Sequence, residues 1–563
     1  MDVFERILEA RGLTGESRDI FLNPRYETAH DPYLLPDMQQ AVKRLALAKQ
    51  ANEAITIYGD YDIDGLTATT LLLDALTSFG FSNVNTFIPN RFVEGYGMTI
   101  DAIERIAATG ATLIITVDCG SLSEKEIIRA KELGMDVIVT DHHNVAPVQP
   151  PAVAVINPKR LLADYPDEYD NFVLKKESVF QGKLYPFLDL PGVGVAFKLI
   201  QALQRELEGI PRGQEKWLLD LVALGTVCDV VTLRDENRMH VYWGLHVLKK
   251  TRRAGLRALM AVAKIQPQSI TARHLGFGLG PRMNAAGRLE TAQIALDMLL
   301  AKNEEQAYNL ANRLDEMNHL RRLEQDNILK QAIQQAETFK NDDVLVVSAP
   351  GWNHGIVGIV AAKLLERYKK PTFVLGEEGV VAKGSARSFG DFSAADAIRS
   401  VSDIITKGGG HKLAAGVTIP VEHIDAFRKR MNDFYHELHL TQQERYLLPN
   451  DDIITTFDTI NEKIIELITT LEPFGNGNPQ PVILTKKVTV TKQRRMGADA
   501  QHVKLELQDV SGKRLEVVAF NAQKHLFADV GTTVNVWYQP ENNEWNGKRT
   551  IQGILLHLEV IAA

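Results

Sequence analysis

The stretch Ala54-Ile55-Thr56-Ile57-Tyr58-Gly59-Asp60-Tyr61-Asp62-Ile63-Asp64-Gly65 decides the fold. A short apolar, β-branched run ends in a loop with aspartate at alternate positions, and a helix-favouring segment, Leu66 to Phe79, follows. The arrangement recurs. Leu113-Ile114-Ile115-Thr116-Val117 runs into Asp118-Cys119-Gly120, and Asp136-Val137-Ile138-Val139-Thr140 runs into Asp141-His142-His143, with a helical stretch from Ser123 to Leu133 between them. Apolar runs without alternation belong to strands buried on both faces of a parallel sheet. The strand-loop-helix order predicts a doubly wound α/β domain.

Strand ends in an open α/β sheet converge on one crevice. Five aspartates and two histidines gathered there would repel one another and lose hydration at prohibitive cost unless divalent cations neutralise them. A metal site, and a two-ion one, is therefore the first functional expectation. Asp60, Asp62 and Asp64 alternate, so at least two carboxylates can face one side. Asp118 can bridge two cations, His142 offers an imidazole, and the helix-like stretch Trp217 to Val230 delivers Asp229 near its end. Mixed carboxylate and imidazole ligands favour Mn²⁺ or Mg²⁺ over structural zinc. Two such ions, roughly 3.5–4 Å apart, suit in-line phosphoryl displacement by water, with no side-chain nucleophile. Cys119 and Cys228, each beside one of these aspartates, read as small buried fillers.

The rest of the composition narrows the class. A chain of 563 residues suggests three or four domains. No run of about 18 apolar residues predicts a membrane span, the charged start Met1 to Arg6 lacks the apolar core of a signal peptide, and two cysteines make no disulfide framework. A cytoplasmic protein with no membrane partner is expected. The net charge of −8 speaks only weakly against nucleic acid, because an acidic metal cleft uses up negative charge and basic patches can be local. One such patch is Lys486, Lys487, Lys492, Arg494 and Arg495, whose nearest acid is Asp499.

Residues 1–48 read as a helical cap and 49–302 as the catalytic α/β domain with a helical extension. Residues 303–340 form a long polar helix with one narrow apolar stripe (Ala307, Leu310, Leu314, Met317), which suits a connector. Residues 341–440 form a smaller α/β domain and 441–480 a linker ending in Pro473-Phe474-Gly475-Asn476-Gly477-Asn478-Pro479. From 481 to 563 the period changes to two, as in Val503, Leu505 and Leu507 or Val534, Val536 and Tyr538, with turns such as Asn546-Gly547, and a small antiparallel barrel of the OB type is predicted.

Asp141-His142-His143, taken with Asp60 to Asp64, Asp118 and Asp229, resembles the DHH phosphoesterase superfamily and, within it, the RecJ family. Five further stretches strengthen the likeness: Ile88-Pro89-Asn90-Arg91 through Glu94-Gly95-Tyr96-Gly97, Leu190 to Lys198, Gly280-Pro281-Arg282-Met283-Asn284-Ala285-Ala286-Gly287-Arg288 and, in the second α/β region, Trp352 to Gly358 and Gly408-Gly409-Gly410-His411, the last two of which resemble the associated DHHA1 domain. The resemblance implies a metal-dependent exonuclease that degrades single-stranded DNA 5′→3′, releases 5′-mononucleotides and acts in recombination and repair. It implies Asp60, Asp62, Asp64, Asp118, His142 and Asp229 as ligands of two Mn²⁺ or Mg²⁺ ions, and His143 as a contact to the scissile phosphate. One departure stands out: some DHH enzymes carry a histidine where this chain has Tyr58, and Asp60 is expected to substitute as a ligand.

For the DNA, Lys383-Gly384-Ser385-Ala386-Arg387 offers a small loop with a hydroxyl and two cations, a combination that cradles phosphate. Gly409, Gly410 and His411 offer a similar site, and Arg91, Arg282 and Arg288 match family positions lining the cleft and a pocket for the terminal 5′-phosphate. Trp537, Tyr538, Trp545 and Phe474 are candidates for base stacking. The expected partner is single-stranded DNA with a 5′ end, with a helicase or single-strand-binding protein as candidate protein partners, and the expected state is a monomer. Two other readings stay open at this point: a DHH enzyme for short oligonucleotides or cyclic dinucleotides, and a non-catalytic DNA-binding scaffold.

Overall fold

The computed structural model describes residues 2–168, 183–440, 443–497, 500–522, 526–545 and 548–561. Five parallel strands build the first sheet: β1 (Ile55–Tyr58), β2 (Val84–Phe87), β3 (Leu113–Val117), β4 (Asp136–Thr140) and β5 (Ala154–Ile156), in the order β2-β1-β3-β4-β5. β1, β3 and β5 are buried throughout, and β4 in all but its first residue, as their unbroken apolar character requires. Tyr58 pairs with Thr116, and Val117 with Thr140. The three acidic loops therefore leave the sheet side by side at its carboxyl edge. The strand order reverses direction between β1 and β3, the switch point where open α/β sheets bind ligands.

Helices Ile63–Ser78, Gly192–Glu206 and Leu219–Cys228 pack on one another in the main core. The last two bring Gly192, Val193 and Asp229 to the site. Helix Glu304–Thr338 runs 35 residues, and Ala307, Leu314 and Met317 of its stripe are buried.

The second unit contains a mixed sheet of β6 (Leu345–Pro350), β7 (Thr372–Glu378), β8 (Val381–Arg387), β9 (Lys407–Gly410) and β10 (Ala414–Pro420), in the order β6-β7-β8-β10-β9. It also contains a barrel of β11 (Ile453–Ile454), β12 (Ile483–Met496), β13 (His502–Gln508), β14 (Arg514–Ala519), β15 (Thr533–Trp545) and β16 (Lys548–Val560), closed by pairing of β12 with β15. Val503, Leu505, Leu507, Val534 and Val536 all face its core.

Several expectations need correction. Lys383–Arg387 is no loop: β8 pairs with β7 and β10 on both edges, so its backbone N–H groups are taken and only side chains can serve a phosphate. Gly408–Gly410 is likewise strand, but β9 is an exposed edge strand. Tyr538 is fully buried, its ring edge-on to Phe457 and its hydroxyl near Thr485, so it is a core residue and not a stacking platform. The N-terminal cap is split. Helix Val3–Ala10 packs on β11 and helix Glu462–Thr469, with Arg11 paired to Asp452 at 2.6 Å, whereas helix Met38–Ala51 packs on β5 and helix Gly192–Glu206. Asp499, the Asn546-Gly547 turn and the Trp545 side chain lie outside the described residues.

Candidate metal centre

Asp62 begins the site. Its backbone is extended, and one carboxylate oxygen caps helix Ile63–Ser78 by accepting from the N–H groups of Asp64 and Gly65 at 2.9 and 3.2 Å. A Cβ at Gly65 would stand 2.6 Å from the backbone of Asp60, so only glycine lets the loop fold back over the helix start. Asp64 is one residue into that helix and fully buried. Its two oxygens accept from Gly192 N–H at 2.5 Å and Val193 N–H at 2.9 Å, at the start of helix Gly192–Glu206. Gly192 must be small as well, because a Cβ there would lie 2.6 Å from that of Asp118. Asp118 has left-handed backbone, φ +63, a conformation aspartate tolerates better than most residues.

His142 brings the sets together. Its Nε2 lies 3.1 Å from Asp118 Oδ1, 3.6 Å from Asp229 Oδ2 and 3.9 Å from Asp64 Oδ2. These are close approaches without hydrogen bonds: Asp60 Oδ1, Asp118 Oδ1, Asp229 Oδ2 and His142 Nε2 are all buried and unpartnered. Nε2 is thus the ring nitrogen that faces the carboxylates without a partner, the position a metal ligand needs.

Electrostatics agrees. Burial, and then the neighbouring carboxylates, push Asp60 and Asp118 well above the usual carboxylate range, Asp64 to about 7 and Asp229 to about 9. Burial and the charge of His143 lower His142 to about 3, so its imidazole is neutral. Among the described residues no lysine or arginine is ion-paired to Asp60, Asp62, Asp64, Asp118 or Asp229. Ligand atoms of Asp60, Asp62 and Asp118 lie within 4.8 Å of one another, and so do those of Asp64, His142 and Asp229. Repelled carboxylates, a neutral imidazole and orphaned oxygens fit divalent cations.

Asp141 is different in kind. One of its oxygens accepts from the N–H groups of His142 and His143 and from His143 Nδ1, at 2.7, 3.1 and 2.9 Å; the other accepts from Ser121 N–H at 2.9 Å. Burial would raise its pKa, but the bond and charge of His143 outweigh it and hold the group ionised. In turn His143, although burial opposes it, is held above its ordinary value by that bond and by Asp141, Asp60 and Asp62. The sequence reading missed this role: Asp141 fixes the ring of His143 and aims its other nitrogen. Tyr58 is core, stacked on Phe87 and bonded through its hydroxyl to Gly97 O at 3.0 Å. It offers nothing to a metal, while Asp60 stands in the ligand group. Both cysteines are free, and burial raises both thiols, so neither competes as a ligand.

Of the expected DNA contacts, Arg91 stacks on Tyr61, 4.2 Å from the ring centre. Arg282 is tied to Asp315 at 2.8 Å and to Gly278 O at 2.7 Å. In the second unit, Arg387 donates to Ser385 Oγ at 3.0 Å and Ala386 O at 2.7 Å, and no carboxylate among the described residues pairs with it. Gly409 and Gly410 lie exposed on β9, and His411 N–H turns back to Ala414 O. Lys486, Lys487, Lys492, Arg494 and Arg495 all project to solvent from β12.

A parallel sheet in this order with acidic and histidine groups at its switch point defines the DHH class. Residues 54–226 match the DHH family N-terminal domain, 341–437 the DHHA1 domain and 452–557 the RecJ OB domain. The chain is 33% identical to the single-stranded-DNA-specific exonuclease RecJ of Haemophilus influenzae over 99% of its own length and 96% of that protein, and 36% identical to that of Bacillus subtilis over 97% of its length and 66% of that protein. The crystal structure of Thermus thermophilus RecJ with Mn²⁺ superposes with a TM-score of 0.81 at 28% identity, covering all of this chain and 76% of that one; the same protein has also been solved with Mg²⁺. The chain belongs to the RecJ family. Its OB domain begins near 452, so the expected linker 441–480 overlaps the barrel's own start at β11.

Proposed function

We propose that this chain is a metal-dependent exonuclease that hydrolyses single-stranded DNA 5′→3′ and releases 5′-mononucleotides, in recombination and repair. The observation that carries the reading is the convergence of six candidate ligand side chains, four of which (Asp60, Asp118, His142 and Asp229) turn a buried atom without a partner into the site. Relatives that it matches along most of its length, and the single-stranded-DNA specificity of those relatives, support the substrate. Asp60, Asp62 and Asp118 would hold one Mn²⁺ or Mg²⁺ and Asp64, His142 and Asp229 the second. When bound, two such ions supply an activated water and charge stabilisation at the scissile phosphate.

The chain's own groups do the rest. Asp141 fixes His143 through Nδ1, which would leave Nε2 to meet the phosphate. Asp62 keeps one oxygen on the helix cap and the other for the site. Arg91, held flat by Tyr61, and Arg288 would meet the DNA backbone, and Arg282 would do so with the donors left over by Asp315 and Gly278. Ser385 and Arg387 would take a terminal phosphate, with Gly409, Gly410 and His411 along the strand. The exposed basic face of β12 would hold DNA further from the end. The enzyme would act as a cytoplasmic monomer; no helix among the described residues is long and apolar enough to cross a membrane.

Digestion of end-labelled single strands, duplexes and dinucleotides with Mn²⁺, Mg²⁺ or chelator tests the reading. The expected result is early release of the 5′-terminal mononucleotide from single strands alone, abolished by chelator. Cleavage of dinucleotides with long strands spared would shift the activity to small substrates, and binding without cleavage would make the chain a scaffold.

A further inference from the structure

The stretch Pro473-Phe474-Gly475-Asn476-Gly477-Asn478-Pro479 reads in the sequence as the end of a linker, and nothing in the proposed mechanism uses it. Yet Glu472–Pro479 belongs to the first domain, although the flanking stretches, Leu320–Leu471 and Gln480 onward, belong to the other unit. The loop is closed on itself by Gly475 and Asn478, whose N–H groups donate to each other's carbonyls at 2.9 and 3.1 Å, and by Asn478 Nδ2 donating to Pro473 O at 2.9 Å. It lies along residues 230–238, the segment that directly follows Asp229.

The bonds are specific. Asn476 Nδ2 donates to Val230 O at 2.8 Å, and Asn476 O accepts from Leu233 N–H at 2.7 Å. Arg234 Nε donates to Gly477 O at 3.1 Å, and buried Arg238 donates to Glu472 O at 2.9 Å. Gly477 has φ +72 and a Cβ there would lie 3.1 Å from that of Thr232, so the spacing of the motif is the spacing of this contact. Asn476 thus grips the segment at two points, three residues apart.

What it grips is strained. Val230 has φ +60, the left-handed region that β-branched residues almost never enter. Such a conformation persists only where its surroundings over-determine it. The residue immediately before it, Asp229, ends helix Leu219–Cys228 with a carboxylate repelled by Asp64, Asp62 and Asp60. A repelled group followed by a strained reversal has two reasons to swing away from the site, and the helix behind it holds the pair by the N–H of Asp229 bonded to Gly225 O at 2.9 Å and the longer bond of Val230 N–H to Val227 O at 3.3 Å.

We propose that Asn476 is a positioning residue of the metal centre: by fastening Val230 and Leu233 it keeps Asp229 within reach of Asp64 and His142, and so sets the affinity for divalent ions. The proposal rests on Asp229 being a ligand. Its test is Mn²⁺ binding by the full chain, read from the electron paramagnetic resonance of free Mn²⁺, with Asn476→Ala, Asp229→Ala and the double variant Asn476→Ala/Val230→Gly. Asn476→Ala should weaken Mn²⁺ binding by roughly ten-fold, the scale of losing a group that orients a ligand. Glycine at 230 removes the strain, so the double variant should recover most of that loss. Should Asn476→Ala fail to fold, Asn476→Leu keeps the size of the side chain, removes the donor to Val230 O and adds no charge, and should show the same weakening. Unchanged Mn²⁺ binding in Asn476→Ala beside weakened binding in Asp229→Ala overturns the positioning role alone. Unchanged binding in both removes Asp229 from the site and takes the proposal with it. A double variant as weak as the single one also overturns it, since the loss would then not pass through Val230.

Discussion

Two clusters of buried charge occupy the first α/β domain, and they are built on opposite plans. Around Glu236 the charges are balanced: its carboxylate accepts from Lys198 Nζ, the Tyr185 hydroxyl and His30 N–H, and Lys198 also donates to His30 O at 2.8 Å. Lys198 and Glu236 are almost wholly out of water, yet burial is outweighed by Lys198, then His240 and His30, and Glu236 stays below its ordinary pKa. At the carboxyl edge of the sheet, Asp60, Asp64, Asp118 and Asp229 are pushed upward by burial and by one another. In the first cluster the buried carboxylate and ammonium pair with each other, although both ring nitrogens of neighbouring His240 are buried without a hydrogen-bond partner. The second would be completed by cations from outside, the contrast expected between a structural group of charges and a functional one.

Single substitutions should expose the difference most strongly. Lys198→Met leaves Glu236 buried and uncompensated and should cost about 3–5 kcal/mol of stability with or without Mn²⁺. Asp118→Asn should do the reverse: hydrolysis should fall by roughly 10³-fold, while the chelator-treated protein melts at the same or a higher temperature, because one repelling charge is gone. Melting in chelator and in Mn²⁺, beside turnover of a labelled single strand, checks both. If Asp118→Asn melted early in chelator, as Lys198→Met should, the acidic cluster would be part of the scaffold and the contrast would fail.

The same contrast has a pH signature. Asp64, at about 7, and Asp229, at about 9, have folded values above the unfolded value of about 3.9. Their contribution to stability is fully present below the unfolded value and is lost as pH rises through the folded ones. Without metal, the protein should therefore weaken between about pH 4 and pH 9, and the melting shift produced by Mn²⁺ should grow across that window. The balanced cluster has the opposite sign. Burial lowers His240 to about 4, below its unfolded value of about 6.5. The stability it contributes is present above pH 6.5 and is lost as pH falls toward 4, whether or not metal is bound. Melting curves at fixed ionic strength from pH 4 to 9 separate the two, and a Mn²⁺ shift that stays flat with pH would detach the metal from the carboxylates.

What could be read in advance depends on how local each signal is. Every candidate ligand except Asp229 directly follows an apolar run, so strand, loop and carboxylate fall in one short window and the crevice follows from the fold class. The balanced cluster has no such window. Lys198 and Glu236 lie on separate helices, and a buried lysine inside an amphipathic stretch is written like an exposed one. Asp141 sits inside the best marked motif of the chain, but its role consists of four hydrogen bonds that exist only once His142, His143 and Ser121 are placed. Alternation marks Tyr538 as inward-facing, with Val534 and Val536; reading it for stacking set residue type above position. The loop 472–479 looks like a linker because glycine, asparagine and proline mark turns wherever they occur. What it docks against is some 240 residues away.

Arg387 is the mirror image of the acidic cluster and the site of the mildest expected effect. It is a largely buried cation at the end of β8, and burial alone lowers its pKa. A Cβ at Gly358 would lie 2.9 Å from Ser385 Oγ and 3.3 Å from Arg387 Nη2, so the first turn of the twelve-residue helix Val357–Tyr368 stands directly against the pair. An unpaired guanidinium, a hydroxyl and a helix start favour an anion as unpaired carboxylates favour a cation. If that anion is the terminal phosphate of the strand, Arg387→Ala should lower the ratio of rates on 5′-phosphorylated and unphosphorylated strands by roughly ten-fold, the scale of one charge-assisted hydrogen bond. Arg387→Lys, with the charge but not the fork, should fall between. Ser385→Ala should lower the ratio less, and the Mn²⁺ requirement should stay fixed in all three. A ratio that survives Arg387→Ala would break the symmetry between the two unpaired charges and leave the guanidinium as a strand-end tie to Ser385.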